Sequence, residues 1–278
     1  MDERQLAAMM DHYLSLLKTH TYAETVTFPE GDGMEWIRYC ETMGLVGRYP
    51  QKLGDIIGLD GTNATLMTYY RNNIQHLFAL PALIACLFEN CTSMARDKVI
   101  FLASAIYPYL HSELFLRYDP ETVGVEVDRW IGTLSDHGIL RADGDRVMGP
   151  EEGTDARLQL HTLSRFIIQT LERYYIVIAT LRKHGPGVLT AEELEEESAL
   201  MAERMSLLFG LNAPEFFDKT LFRNFIGELA GNGVIVAGED DRLSYTRELE
   251  EVSEDARLVL SVEKRQAIAQ VTQLNRPE

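Results

Sequence analysis

The chain has 278 residues, 46% hydrophobic and 25% charged, an ordinary globular composition with enough length for a sizeable core in one large or two small domains. Its 43 acidic against 26 basic residues give a formal charge of −17, which opposes non-specific contact with nucleic-acid phosphates or anionic lipid. Three cysteines, Cys40, Cys86 and Cys91, form neither a disulfide framework nor a zinc spacing, and they point to a reducing, cytoplasmic setting.

In chain order, the start MDERQLAAMMDHYLSLLK is acidic and amphipathic, and no basic segment leads into an apolar core as a signal peptide requires. A first helix-and-hairpin, WIRYCETMGLV followed by LGDIIGLDG, occupies Trp36 to Gly61, with LDGT (Leu59 to Thr62) supplying turn chemistry. Helices are expected at about Asn63 to Asn90, Arg96 to Phe115 and Glu121 to His137, the first two kinked at Pro81 and Pro108. After a second hairpin turning at Ala142 to Asp145, three more are expected at Asp155 to Lys183, Thr190 to Leu208 and Ala213 to Gly231, then a third hairpin. Thr190 with Glu193 makes a capping box, and Asn212-Ala-Pro-Glu215 reads as a second cap. The longest uncharged apolar run, Leu77 to Phe88, is too short for the roughly 20 residues of a spanning helix.

The three helix-and-hairpin segments overlay on one another. Trp36 and Gly44, Trp130 and Gly138, and Phe225 and Gly233 are each eight residues apart, so an aromatic and a helix-ending glycine mark the same two positions in every copy. Three helices followed by a two-stranded wing outline a winged helix. The expected fold is therefore mainly α, a helical domain with small β-hairpins in tandem winged-helix-like units. Residues 1–62 hold the N-terminal helices and first hairpin, 63–153 the first unit and 154–278 the second, packed as one domain. Nucleic acid is not an expected partner: Glu121 to His137 carries Glu121, Glu126, Asp128 and Asp136 against Arg129 alone.

Catalytic and metal motifs are missing. There is no HExxH, GxSxG, phosphate-cradling glycine loop or cysteine-rich zinc pattern, so no catalytic residue, metal ligand or cofactor is assigned. The carboxylates of Glu192 to Glu197 complement a helix dipole, and the histidines read as capped or solvated. The candidate site is Tyr70, Arg71, Asn72 and Asn73, in the stretch TYYRNNIQHLFALPALI. Consecutive helical residues fan around the helix, so this polar group cannot all face solvent beside a run that is apolar on every side. Either Asn72 and Asn73 bond to backbone while Arg71 pairs with a carboxylate, or the group faces another domain or an anionic ligand.

LMTYYRNNIQHLFALPALIA, IYPYLHSELFLR, RMSLLFGLNAPEFFDK and LGDIIGLDG closely resemble the C-terminal region of bacterial, membrane-associated glycerol-3-phosphate 1-O-acyltransferases, over about Tyr22 to Val259. That resemblance implies an enzyme that transfers a fatty acyl group from acyl-CoA or acyl-carrier protein to the first hydroxyl of glycerol 3-phosphate, at the cytoplasmic face of the inner membrane. The family's catalytic domain precedes this region and carries HxxxxD, in which a histidine deprotonates the attacking hydroxyl and an aspartate orients it. No histidine here has an aspartate five residues on: the positions after His12, His20, His76, His111, His137, His161 and His184 are Leu17, Thr25, Pro81, Leu116, Ala142, Phe166 and Leu189. The resemblance thus implies a non-catalytic supporting or interface domain whose partner is the acyltransferase catalytic domain, with a peripheral inner-membrane contact. The alternative is a standalone protein-interaction module built on winged-helix-like units.

Overall fold

The computed structural model describes residues 1–209, 213–247, 249–250, 254 and 258–273. It is mainly helical with small antiparallel sheets. The helices are α1 (Glu3–Thr19), α2 (Gly33–Thr42), α3 (Gly61–Leu87), α4 (Arg96–Leu114), α5 (Val123–Asp136), α6 (Asp155–Ser164), α7 (Ile168–His184), α8 (Ala191–Phe209), α9 (Lys219–Gly231) and α10 (Val262–Gln273). The strands are β1 (Gly47–Tyr49), β2 (Ile56–Gly58), β3 (Ser93–Ala95), β4 (Arg141–Asp143), β5 (Arg146–Met148), β6 (Ile235–Ala237) and β7 (Leu243–Tyr245).

Most of these helices begin where a short polar side chain can take up an orphan N–H. Asp2, Asp32, Asp60, Thr154 and Asp218 each accept from a backbone N–H of the first turn. At α8 the capping box is reciprocal: Thr190 Oγ1 accepts from Glu193 N at 3.2 Å, and Glu193 Oε2 accepts from Thr190 N at 2.9 Å. Asn212, the other expected cap, lies outside the described residues.

The helix ends carry the internal repeat. Gly44, Gly138 and Gly233 sit at φ +69°, +72° and +72°, and after each the next residue's N–H reaches five residues back, Leu45 to Cys40, Ile139 to Leu134 and Val234 to Leu229, all at 2.9 Å. This is one left-handed termination used three times. A hairpin follows every time, and its second strand takes a partner from the residues just before a helix. β5 pairs with β3 in the order β3-β5-β4. Asp2 bridges Ile56 of β2, and Thr190 bridges Arg242, the residue just before β7. An ion pair also ties the two helices of the later copies, with charge reversed: Arg96 to Asp128 at 2.6 Å and Arg223 to Glu195 at 2.8 Å.

Several expectations are corrected. LDGT does not turn the first hairpin, because Tyr49 pairs with Ile56 and the loop is therefore 50–55; Asp60 instead caps α3 through Asn63 N at 2.7 Å. The helix expected at Asp155 to Lys183 is two helices. Ser164 and Phe166 turn their carbonyls to Cys86 Sγ and to Gln75 Nε2 (2.7 Å), while Phe166 stacks on Phe78 at 4.2 Å, and these tertiary bonds interrupt the helical ladder. The helix expected from Ala213 starts at Lys219, after a 3₁₀ turn over Pro214–Phe217.

One apolar cluster extends from Met9 on α1 to Val271 on α10 and holds the second and third repeats in one core. A smaller cluster, Ala7, Ile37 and Ile57, packs the first hairpin and α2 on α1. There Gly33 is required by close approach, since a Cβ on it would lie 2.4 Å from the Ala7 carbonyl oxygen. Inside the main cluster Arg173 of α7, 4% exposed, donates to Glu113 of α4, which also accepts from Tyr174 Oη at 3.0 Å.

A Cβ at Gly44, Gly138 or Gly233 meets nothing within 4 Å, so replacement by alanine carries only the backbone cost, about 1–2 kcal/mol at each position. Urea unfolding of the three variants should give equal losses; an unchanged midpoint in any one would show that its helix ends differently in solution. Glu113→Ala leaves a buried guanidinium unpaired and should cost about 3–5 kcal/mol, whereas Glu113→Leu with Arg173→Met should recover most of it.

Candidate functional site

The two halves of α3 live in different surroundings. From Phe78 to Phe88 every residue is buried, which suits a run apolar on all sides. From 61 to 74 none is buried, although this half carries Leu66, Tyr69, Tyr70 and Ile74, exposed by 38%, 63%, 45% and 45%. Leu66, Tyr70 and Ile74 are each four residues apart and form one stripe along roughly 12 Å of helix.

The polar group sits where the two halves meet, and it divides. Arg71 and Asn72 turn toward the body of the molecule. Arg71 Nη2 donates to Glu215 Oε1 at 3.2 Å and to Gln169 Oε1 at 3.3 Å, and Asn72 Nδ2 donates to the same Glu215 oxygen at 3.0 Å. Arg71 also donates to Asn72 Oδ1 at 3.1 Å, so the two side chains act as one clamp on the 3₁₀ turn. Among the described residues Asn73 bonds only to its own helix, Nδ2 to Tyr69 O at 3.2 Å, and Tyr70 points outward beside Tyr69. Burial draws the Arg71 guanidinium below its ordinary pKa; Glu215 opposes this, and Arg165 and Arg173 reinforce it.

A cleft of about 190 Å³ opens beside this clamp, lined by Arg71, Gln75, Glu113, Arg173, Glu215 and Leu221 among others. Its charges are already matched, Arg71 with Glu215 and Arg173 with Glu113. The partners Glu215 and Gln169 lie 144 and 98 residues from Arg71, and no short-range pattern announces them. Glu215 was legible only as part of a helix start.

The histidines are spread over the fold. His161 Nδ1 lies 3.1 Å from Glu89, His184 Nε2 2.8 Å from Glu197, His137 Nε2 3.0 Å from Thr19 Oγ1, and His20 stacks on Trp130. Among the described residues no three His, Cys, Asp or Glu side chains converge as metal ligands, and no helix is long and apolar enough to cross a membrane.

The profile of the glycerol-3-phosphate acyltransferase C-terminal region family matches residues 1–238. Curated relatives named glycerol-3-phosphate acyltransferase include those of Pseudomonas entomophila, 45% identical over all of this chain and 34% of the relative, and Pseudomonas putida, 45% identical over 98% of this chain and 33% of the relative. The Pseudomonas aeruginosa protein is 44% identical over 100% of this chain and 33% of its own length. The chain thus spans about a third of the length of the curated relatives it matches. With the profile covering most of its residues, the chain belongs to the family of glycerol-3-phosphate acyltransferase C-terminal regions.

Proposed function

We propose that this chain is a non-catalytic supporting domain that docks an acyltransferase catalytic domain through the first half of α3. The observation that carries the reading is the uncovered stripe of Leu66, Tyr70 and Ile74, on a helix whose other half is fully buried. Fully burying a leucine, isoleucine or aromatic side chain stabilises by roughly 1.5–3 kcal/mol, so a stripe left open marks a face made for a partner. The relatives' names and the share of their length lying outside this chain supply that partner. Its reaction is acyl transfer to glycerol 3-phosphate from acyl-CoA or acyl-carrier protein, and its place is the cytoplasmic face of the inner membrane, both by resemblance. Tyr70 and Asn73 face the docked domain, while Arg71 and Asn72 hold the arm at its angle through Glu215.

We also read 63–153 and 154–278 as winged-helix-like units, with 1–62 as a partial one. The support is the strand order, in which a residue just before a helix adds itself to the second strand of the hairpin behind that helix. These units suit protein contacts rather than nucleic acid. The cations on α5 and α9 are already paired, Arg129 with Glu126, Arg223 with Glu195 and Lys219 with Glu196.

Acyl transfer to glycerol 3-phosphate tests the docking reading, using a catalytic domain alone, this chain alone and the two mixed. Activity appearing only in the mixture is expected. Activity from this chain alone, or no rescue by mixing, overturns it. Within the mixture, Tyr70→Ala should lower activity several-fold while changing stability by less than about 0.5 kcal/mol, as for a surface position. Arg71→Ala should likewise lower activity more than stability; matched losses in both would reduce the clamp to a structural role.

A further inference from the structure

The three repeats correspond position by position. At the same distance past the helix-ending glycine, Tyr49 pairs with Ile56, Asp143 pairs with Arg146, and Gly238 N donates to Arg242 O at 2.8 Å. Ile56, Arg146 and Arg242 in turn pair with Asp2, Ala95 and Thr190. Asp2, Ala95 and Thr190 are thus one position, directly ahead of α1, α4 and α8. Trp36, Trp130 and Phe225 are likewise one position on α2, α5 and α9.

In the second and third repeats a further helix covers this helix pair. Helix α3 lies against α4 and α5, and α7 lies against α8 and α9. Each covering helix stands just ahead of the pair in the chain, α3 ending at Leu87 and α7 at His184. Leu77 and Leu80 of α3 share one small cavity with Tyr107 of α4 and Trp130 of α5. Tyr174 of α7 stacks on Phe225 of α9 at 4.0 Å, and Thr180 Oγ1 donates to Met201 Sδ of α8 at 3.2 Å. Among the described residues no helix takes this place on α1 and α2.

Burial follows the same division. Val99, Ala103 and Tyr107 of α4 are at most 1% exposed, and Leu194, Ser198 and Ala202 of α8 are fully buried. Their counterparts on α1 are Leu6, Met10 and Leu14, and all three are only half-buried. Trp130 and Phe225 are buried, whereas Trp36 is half-buried. Helix α2 also carries the apolar face outward, with Tyr39 65% and Met43 52% exposed. The second repeat has Thr133 and His137 at those positions and the third has Glu228 and Asn232. The repeats that are covered are polar there, and the uncovered one is apolar, as a face kept for a partner is.

We propose that this face of α1 and α2 seats one amphipathic helix, in the place that α3 takes in the second repeat and α7 in the third. The helix belongs to the part of the acyltransferase relatives that precedes their matched third, because in both covered repeats the covering helix comes directly ahead in sequence. The partner's identity rests on the docking reading; the place and shape of the occupant rest on the repeat alone. Leu14 and Trp36, counterparts of Tyr107 and Trp130, stand at the centre of the seat. It is built from other helices than the stripe of Leu66, Tyr70 and Ile74, and it takes its occupant helix-in-groove.

Trp36 reports on the seat, since the chain's other tryptophan, Trp130, is 2% exposed. Overlapping 27-residue peptides, the length of α3, are copied from the Pseudomonas entomophila relative over the stretch leading into its matched third and titrated into the chain. A saturable blue shift of Trp36 fluorescence with one of them is expected, with a gain of helix in circular dichroism. Trp36→Phe should remove the shift while calorimetry still records binding. Leu14→Asp and Met43→Asp should each weaken binding about tenfold or more, since each puts a charge where an apolar side chain becomes buried. Met43→Asp should leave the melting temperature of the free chain unchanged. Tyr70→Ala should leave peptide binding unchanged, so that failure of the α3 docking surface and failure of this seat are told apart. No saturable shift with any peptide, binding indifferent to Met43→Asp, or burial of Trp36 by self-association of the chain without peptide overturns the proposal.

Discussion

The structure depends on the buried half of α3. Phe78 to Phe88 is enclosed on all sides, and α4, α5 and α6 pack around it as around a post. Because the run presents no polar face, every neighbouring helix must bring an apolar stripe to it. Pro81 falls in this stretch, and the N–H it lacks leaves the helix continuous. Gln75 marks the boundary: its amide reaches the Phe166 carbonyl at 2.7 Å and pins the break between α6 and α7 against the post. The direction of α7, and with it the position of the Arg173–Glu113 pair, follows from that one turn.

Around the post the chain repeats a small device, and its economy explains why the copies tolerate unrelated sequences. A helix ends on a left-handed glycine, the chain reverses into a hairpin, and the second strand of that hairpin captures the residues ahead of a helix. Only the glycine and the apolar residue after it are needed for the reversal, since the hydrogen bond from Leu45, Ile139 or Val234 is made by backbone. The ion pair between the helices is freer still. Asp128 and Arg223 stand two residues before Trp130 and Phe225, yet they carry opposite charge, and the facing helix has changed sign to match. Complementarity persists where identity does not.

Local rules made much of this legible in sequence. The eight-residue interval between aromatic and glycine, the Thr190 capping box and the all-round apolar run after Arg71 each depend on neighbours within a few residues, and each lies where expected. What failed to show were decisions made at long range. The break at Arg165 to Ile167 has no glycine or proline to signal it and is imposed by Gln75 and Phe78, some ninety positions earlier. LDGT was expected to turn a hairpin, whereas the strand register puts the turn at 50–55 and leaves Asp60 to cap α3. At the candidate site the need for Arg71 or a neighbour to turn inward was foreseeable from helical geometry, but Glu215 and Gln169 were not.

Arg71 is therefore already engaged by the fold, through Glu215 and Gln169. Its pair with Glu215 is about 29% exposed on each side, and ion pairs so open to solvent contribute at most about 1 kcal/mol. Such a bond is not what holds the fold together. The apolar stripe beyond it has the complementary property, a large gain available on contact and little conformational freedom left to lose, because α3 is already helical and capped at Asp60. Were a domain to dock at the stripe as proposed, the contact would reach Arg71 along a continuous helix, and Gln169 at the start of α7 through their hydrogen bond.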